Sequence, residues 1–284
     1  ETCSSVCSSN NIKSSDRYLV FVWRHNNIKK MANTIQYGQG AVNNTIGWGQ
    51  GAKVGGSSFS NTKSIELDGV DDFADIGHIA ELNNASAFTY SGWYKQTTID
   101  QIRPLIESFV NTNNWFGVYT YTDGNMYIQF QKTNNYYGYF DYSTLISADT
   151  WFNIIVVYNG SGLTNADKFK CYINGTEVTL SFVGTIPTTT PSGTNNLKIA
   201  RADKLNATWL GKVDEVAIWD SELSASQVTE IYNSGVPNDI SSLSPLSWWR
   251  MGDGDTAPTI IDHGSGGNNG TMTNFSTFST DVPT

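Results

Sequence analysis

GKVDEVAIWDSELSASQVTEIYNSG, residues 211–235, decides the fold class. From Lys212 to Asp220 apolar and polar positions alternate, the pattern of a β-strand with one face in a core. Ser224 then offers an N-cap. Its hydroxyl is placed to accept the amide of Gln227, whose side chain reaches back to the Ser224 amide, while Leu223 and Val228 stand where a hydrophobic staple needs them. The spacing predicts a short helix near 225–232, with Gly235 ending it.

Nothing else in the chain shows helical periodicity of that length. The 284 residues are 39% hydrophobic, 13% aromatic and only 15% charged, enough to bury one large core. Short alternating stretches recur between Gly, Asn, Asp and Ser clusters. An all-β, two-sheet antiparallel sandwich follows.

Four stretches together resemble the laminin G-like, or concanavalin A-like lectin/glucanase, jelly rolls. They are SIELDGVDDFADIG at 64–77, the Phe-Thr-x-Ser-x-Trp strand at 88–95, the Trp-to-Glu hairpin at 151–177, and the strand and helix at 211–235. The resemblance implies a jelly-roll sandwich over 64–240. A closing stretch, LSWWRMGDGDTAPTIIDHGSGGNNGTMTNF at 246–275, is similar to the segment that normally opens such domains. In its position after the others it is expected to add strands to the one sandwich, so 241–284 completes or decorates it. The alternative is a vestigial second module, with Trp248 and Trp249 exposed.

Residues 1–30 differ in kind. They hold five of the 17 basic and two of the 26 acidic residues, so they carry +3 while the rest carries −12 of the net −9. They read either as a leader, tag or translated upstream sequence before Met31, or as an ordered arm. Residues 31–63 contain a duplication, IQYGQGA then IGWGQGA, which places Tyr37, Gln39, Trp48 and Gln50 in an attachment or oligomerisation role; a plain linker is the other reading. This stretch resembles segments near the start of bacteriophage virion and tail-fibre proteins. That resemblance implies display on a virion surface, or another extracellular location, with other virion proteins or a second copy as partner; a trimer is the working expectation.

The acidic balance argues against nucleic acid, and no apolar run is long enough for membrane insertion. Cys171, in FKCYI, shares an apolar strand face with Phe169 and Ile173 and reads as core. A glycosidase needs two carboxyl groups facing each other. The laminarinase-like Glu-x-Asp-x-x-Glu is missing, Asp214 and Glu215 are adjacent and by alternation point to opposite faces, and His25, His78 and His263 are isolated, so no enzyme is expected.

Calcium is the ion the residues suit. Asp68, Asp71, Asp72 and Asp75 set four carboxylates around a Gly turn; the resemblance adds Asp214, and Asp253, Asp255 and Asp262 form a second, weaker cluster. For glycans, aromatic faces stack on sugars while amides and carboxylates take hydroxyls. In NWFGVYTYTDGNMYIQF a two-residue Asp123-Gly124 turn would put Trp115, Tyr119 and Tyr121 on the apolar side with Met126, Ile128 and Phe130, leaving Phe116 and Tyr127 on the polar side. Surface aromatics are then Tyr137 and Tyr139, with Asp141 on the same strand face, and Trp209. The reading is a structural or adhesive lectin-like jelly roll; a secreted carbohydrate-binding lectin module and a glycoside hydrolase or lyase are the alternatives.

Overall fold

A computed structural model describes residues 19–22, 32–35, 59–99 and 101–284, the first two stretches as backbone pairing alone. Two units are distinguished, Glu1–Gly56 and Ser57–Thr284. In the first, β1 (Leu19–Val22) pairs antiparallel with β2 (Ala32–Ile35), a ladder that crosses the boundary expected at Met31. Tyr37, Gln39, Trp48 and Gln50, and with them His25, lie outside the described residues.

The second unit is a sandwich of two antiparallel sheets. One sheet contains, in spatial order, β12 (Thr176–Val178), β11 (Phe169–Ile173), β10 (Trp151–Asn159), β5 (Ala87–Gln96), β17 (Leu210–Trp219), β3 (Ser64–Asp68) and β21 (Phe278–Ser279), with β18 (Ser247–Trp249) also paired to β17. The other runs β13 (Ser181–Val183), β9 (Asn135–Asp141), β8 (Asn125–Lys132), β7 (Asn114–Thr120), β6 (Arg103–Asn111), β14 (Leu197–Ile199), β4 (Phe73–Gly77), β20 (Gly270–Thr273), β19 (Thr259–Ile260). A small hairpin of β15 (Arg201–Ala202) and β16 (Ala207–Thr208) packs over β6.

Alternation explains the core. Ile65, Tyr90, Ile128, Phe130, Val156, Cys171 and Val213 point between the sheets and are almost fully buried. On the outer face of the first sheet Ile155, Val157, Ala217 and Trp219 are covered by Leu223, Val228 and Ile231. The last two belong to α2 (Ala225–Tyr232), whose capping box joins Ser224 and Gln227 as the spacing predicts. Asn233, in the left-handed region at φ 44°, caps its end two residues before Gly235. A single-turn helix, α1 (Asn165–Lys168), is capped in the same manner by Thr164.

The C-terminal strands belong to this sandwich. β18 extends the edge of β17, β20 pairs with β4 and β21 with β3. Trp248 is 5% exposed and Trp249 fully buried, so neither forms an open apolar patch.

The Gly-x-Val-Asp-Glu-Val strand departs from simple alternation. Asp214 faces Trp93 and Ala217 faces Ser91, a bulge in which Glu215 takes φ 43°. The expected split of the two acids to opposite faces fails there, because a bulge inserts a residue that breaks the period of two. Asp214 accepts the Asn61 amide at 2.9 Å; Glu215 accepts Trp248 Nε1 at 2.5 Å and Arg250 Nε at 3.1 Å. Arg250 also donates to the Ser60 carbonyl and lies over the Phe59 ring. The acid pair therefore ties residues 59–61 to the closing strands. Burial, with Glu215 alongside, raises the Asp214 carboxyl well above its ordinary value.

Candidate functional site: an aromatic outer sheet face

The β7–β8 hairpin determines which aromatics reach solvent. Thr120 pairs with Met126, Val118 with Ile128 and Phe116 with Phe130, so Phe116, Val118 and Met126 enter the core. Trp115 and Tyr119 instead take the outer face, registered with Gln131 and with Tyr127, which faces out as expected beside Tyr139. This corrects the expected assignment. The loop has three residues, with Gly124 at φ 77° and the Tyr121 amide donating to the Asn125 carbonyl at 2.9 Å, and one residue of slip reverses every side chain of a strand. No sequence signal separates the two loops, because a two-residue Asp-Gly turn also takes its glycine left-handed; the ordinary φ of Asp123 is what marks the longer loop.

The next strand is as expected. Tyr137 and Tyr139 face out, while Tyr136, Phe140 and Tyr142 pack inward. Across the face Tyr127 stacks on Tyr139 with centroids 5.6 Å apart and 16° between planes, Tyr137 lies 5.5 Å from Tyr127, and Tyr121 meets Tyr127 edge-on at 5.7 Å. Trp115 and Tyr119 stack deeper, at 6.1 Å. Gly117 lies between them in β7, where an added Cβ would already touch both rings.

Tyr119, Tyr121, Tyr127 and Tyr137 line a depression of about 260 Å³ together with Asp123, Gln129, Asn135, Lys204 and Leu205. Its polar groups are ordered by one another. Tyr119 donates to Gln129 Oε1, and Gln129 Nε2 donates to Asn135 at 2.8 Å. The Tyr127 hydroxyl donates to Asp123 at 2.6 Å; burial and that carboxylate hold the phenol above its usual range, hence neutral. Lys204 Nζ sits 3.7 Å from the Trp115 ring centroid.

Beneath lies Glu107, 2% exposed. Its Oε1 accepts the Asp203 and Lys204 amides at 2.6 and 3.2 Å, anchoring the β15–β16 hairpin that forms one wall; its Oε2 has no partner among the described residues. Burial lifts this carboxyl to about 7 against the two amides.

Other expected residues fall elsewhere. Trp209 is fully buried, edge-on to Tyr94 at 5.0 Å, so it packs the core and no sugar reaches it. Asp141 is exposed at the end of β9 but turns to the Ser143 amide and hydroxyl, outside the depression. Asp68, Asp71 and Asp72 converge, with ligand atoms within 4.8 Å of one another. Asp75 does not join them; it accepts from Gly77 and Asn196. Asp214 is also apart, since Leu210, four residues before it, is the partner of Asp68, a separation of about 13 Å along the strand. Asp253 and Asp262 are engaged by backbone amides of Thr62, Lys63, Trp248, Gly264 and Asn268, and Asp255 by those of Gly252 and Ile261. His78 bonds Asn83, and His263 packs against Trp248.

The family model of the concanavalin A-like lectin/glucanases superfamily, of laminin G type, matches residues 68–229. A comparison with curated proteins finds no match. A solved structure from Bacteroides ovatus, described as a candidate carbohydrate binding protein, superposes with TM-score 0.54 at 16% identity, covering 79% of this chain and 62% of its own. The Ruminococcus gnavus IT-sialidase CBM40 in complex with α2,3-sialyllactose reaches 0.46 at 12% identity, over 62% of this chain and all of that one. Domains LG4-5 of the mouse laminin α1 chain reach 0.43 at 9%, over 64% and 48%. At such identities only the fold is shared. With more than half its length matched by that family model, the chain belongs to the concanavalin A-like lectin/glucanases superfamily.

Proposed function

We propose that the protein is a non-enzymatic, lectin-like module that binds glycans on the outer face of β7–β9 and serves adhesion. The observation that carries this is the half-buried array of Tyr121, Tyr127, Tyr137 and Tyr139 beside Gln129, Asn135 and Asp123. Flat apolar faces next to oriented amides are what a pyranose requires, because one ring face is lined by C–H groups and its rim by hydroxyls. A non-enzymatic reading is supported by the acid pair: Asp214 and Glu215 are 0% and 5% exposed and bonded to Asn61, Trp248 and Arg250, with no room between them for a glycosidic bond.

The finer reading is display on a virion or other extracellular surface through the repeat at residues 35–52, with self-association or neighbouring virion proteins as partners. It rests on the sequence alone. Calcium belongs to the same proposal: Asp68, Asp71 and Asp72 would hold it, three carboxylates of the hard-oxygen type that cation takes, and it would brace the β3–β4 turn.

The direct test is a glycan array with wild type and Tyr137→Ala/Tyr139→Ala. The double variant is expected to lose binding by tenfold or more, about 1.4 kcal/mol, with its melting temperature held. Binding that survives, or reducing ends released from laminarin, would overturn the reading. Copurification with a particle at constant stoichiometry tests the virion display.

A further inference from the structure

Beyond the aromatic depression, the same sheet face carries a second basin. Cross-strand register sets Tyr137, Gln129, Glu107, Lys198, Asp75 and Thr271 in one row that crosses the second sheet through Gly117. Registered partners share a face. At the β4–β20 end of this row lies a basin of about 410 Å³ whose polar lining is Asp75, Asn196, Asn269, Thr271 and Thr273. Hydroxyl and amide groups dominate it, and Phe73, opposite Thr273, sits alongside with Lys198 above its ring.

The β15–β16 hairpin separates the two basins. Glu107 holds its backbone, and Lys204 and Leu205 wall the first basin. On the other side Lys198 donates to Asp203 at 2.6 Å and Arg201 to the same carboxylate at 3.1 Å. The cations of this face are thus spent within the protein: two on Asp203, and Lys204 over Trp115 beside Glu107. Among the described residues a polyanion gains no unpaired positive charge on this face, whereas hydroxyl groups find acceptors and donors in both basins.

We propose that the two basins are subsites for one linear, uncharged polysaccharide that passes over the hairpin tip. This rests on the glycan reading above and adds to it a second subsite and the class of polymer. From Gln129 to Asp75 is four strand spacings, about 19 Å at roughly 4.8 Å each, a distance a disaccharide cannot bridge and an octasaccharide can. Occupying both basins with one chain makes the second contact intramolecular, a gain on the order of 10²-fold or more.

The experiment is calorimetry on the full chain with cello- and laminari-oligosaccharides of two, four and eight sugars, and an octaguluronate as charged control. One neutral series is expected to tighten by about 100-fold between disaccharide and octasaccharide, with octaguluronate weaker than the neutral octamer. Thr271→Arg, which fills the second basin from an exposed strand position, is expected to abolish that gain; Thr273→Arg serves if it fails to fold. An affinity independent of length, a gain that survives both substitutions, or preference for octaguluronate overturns the two-basin proposal while leaving glycan binding intact. Silence toward every probe overturns the glycan reading itself.

Discussion

Replacing Gly124 tests the register on which the site depends. Gly124 occupies φ 77° in the loop between β7 and β8, and a Cβ built there meets nothing nearer than Asp141 Oδ1 at 3.9 Å. With no steric conflict, the cost of Gly124→Ala is that of the left-handed backbone alone, about 1–2 kcal/mol for an L-residue. For a domain of this size each kcal/mol moves the melting temperature by roughly 2–4 °C. Gly124→Ala should therefore lower it by roughly 2–8 °C, and Gly124→Asn by clearly less, since Asn tolerates that conformation. Urea unfolding followed by circular dichroism gives the same comparison as free energies. If Ala and Asn cost the same, or neither has any effect, Gly124 is not left-handed. The three-residue loop, and with it the outward placement of Trp115 and Tyr119, would then be wrong.

Three further outcomes follow from the same structure. Glu107 titrates near 4.5 when unfolded and near 7 when folded, so the folded form binds its proton more tightly. Stability should fall as pH rises from about 4.5 to about 7, by up to roughly 3 kcal/mol. Glu107→Gln should flatten that slope in urea titrations while Glu215, also lifted to about 7 by burial, keeps part of it; an unchanged slope refutes the assignment. Trp209→Ala should cost about 3–5 kcal/mol through the cavity it leaves, against about 1 kcal/mol for Tyr139→Ala, which gives up its stack on Tyr127. A stable Trp209→Ala that loses only sugar binding would reverse the roles given to them. Calcium at 100 times its dissociation constant should add about 2.7 kcal/mol to stability, visible by calorimetry as a rise over the EDTA-treated protein. Asp71→Asn should remove that rise, and a wild type indifferent to calcium reduces the cluster to a brace of its turn.

Local chemistry was enough for much of the architecture. The alternation from Lys212 onward, the Ser224–Gln227 capping box, the core position of Cys171 and the outward set Tyr137 and Tyr139 each depend on neighbours within a few residues. For these the period of two, or a single cap, permits one solution. The β7–β8 hairpin was different because both faces of its strands are rich in aromatics: Trp115, Tyr119 and Tyr127 look as apolar as Phe116, Ile128 and Phe130, so composition does not say which set is inside. The three-residue loop, with Gly124 left-handed and Asp123 not, settled the parity. Trp209 and the Asp214–Glu215 pair were decided by packing. A loop tryptophan is buried when another sheet closes over it, as Tyr94 and Phe152 do, and two adjacent acids turn inward when a bulge offers them Asn61, Trp248 and Arg250. The two basins of the outer face are further still from sequence reach, since their row draws on seven strands spread from Asp75 to Thr271. Only the pairing order of the second sheet puts those residues side by side.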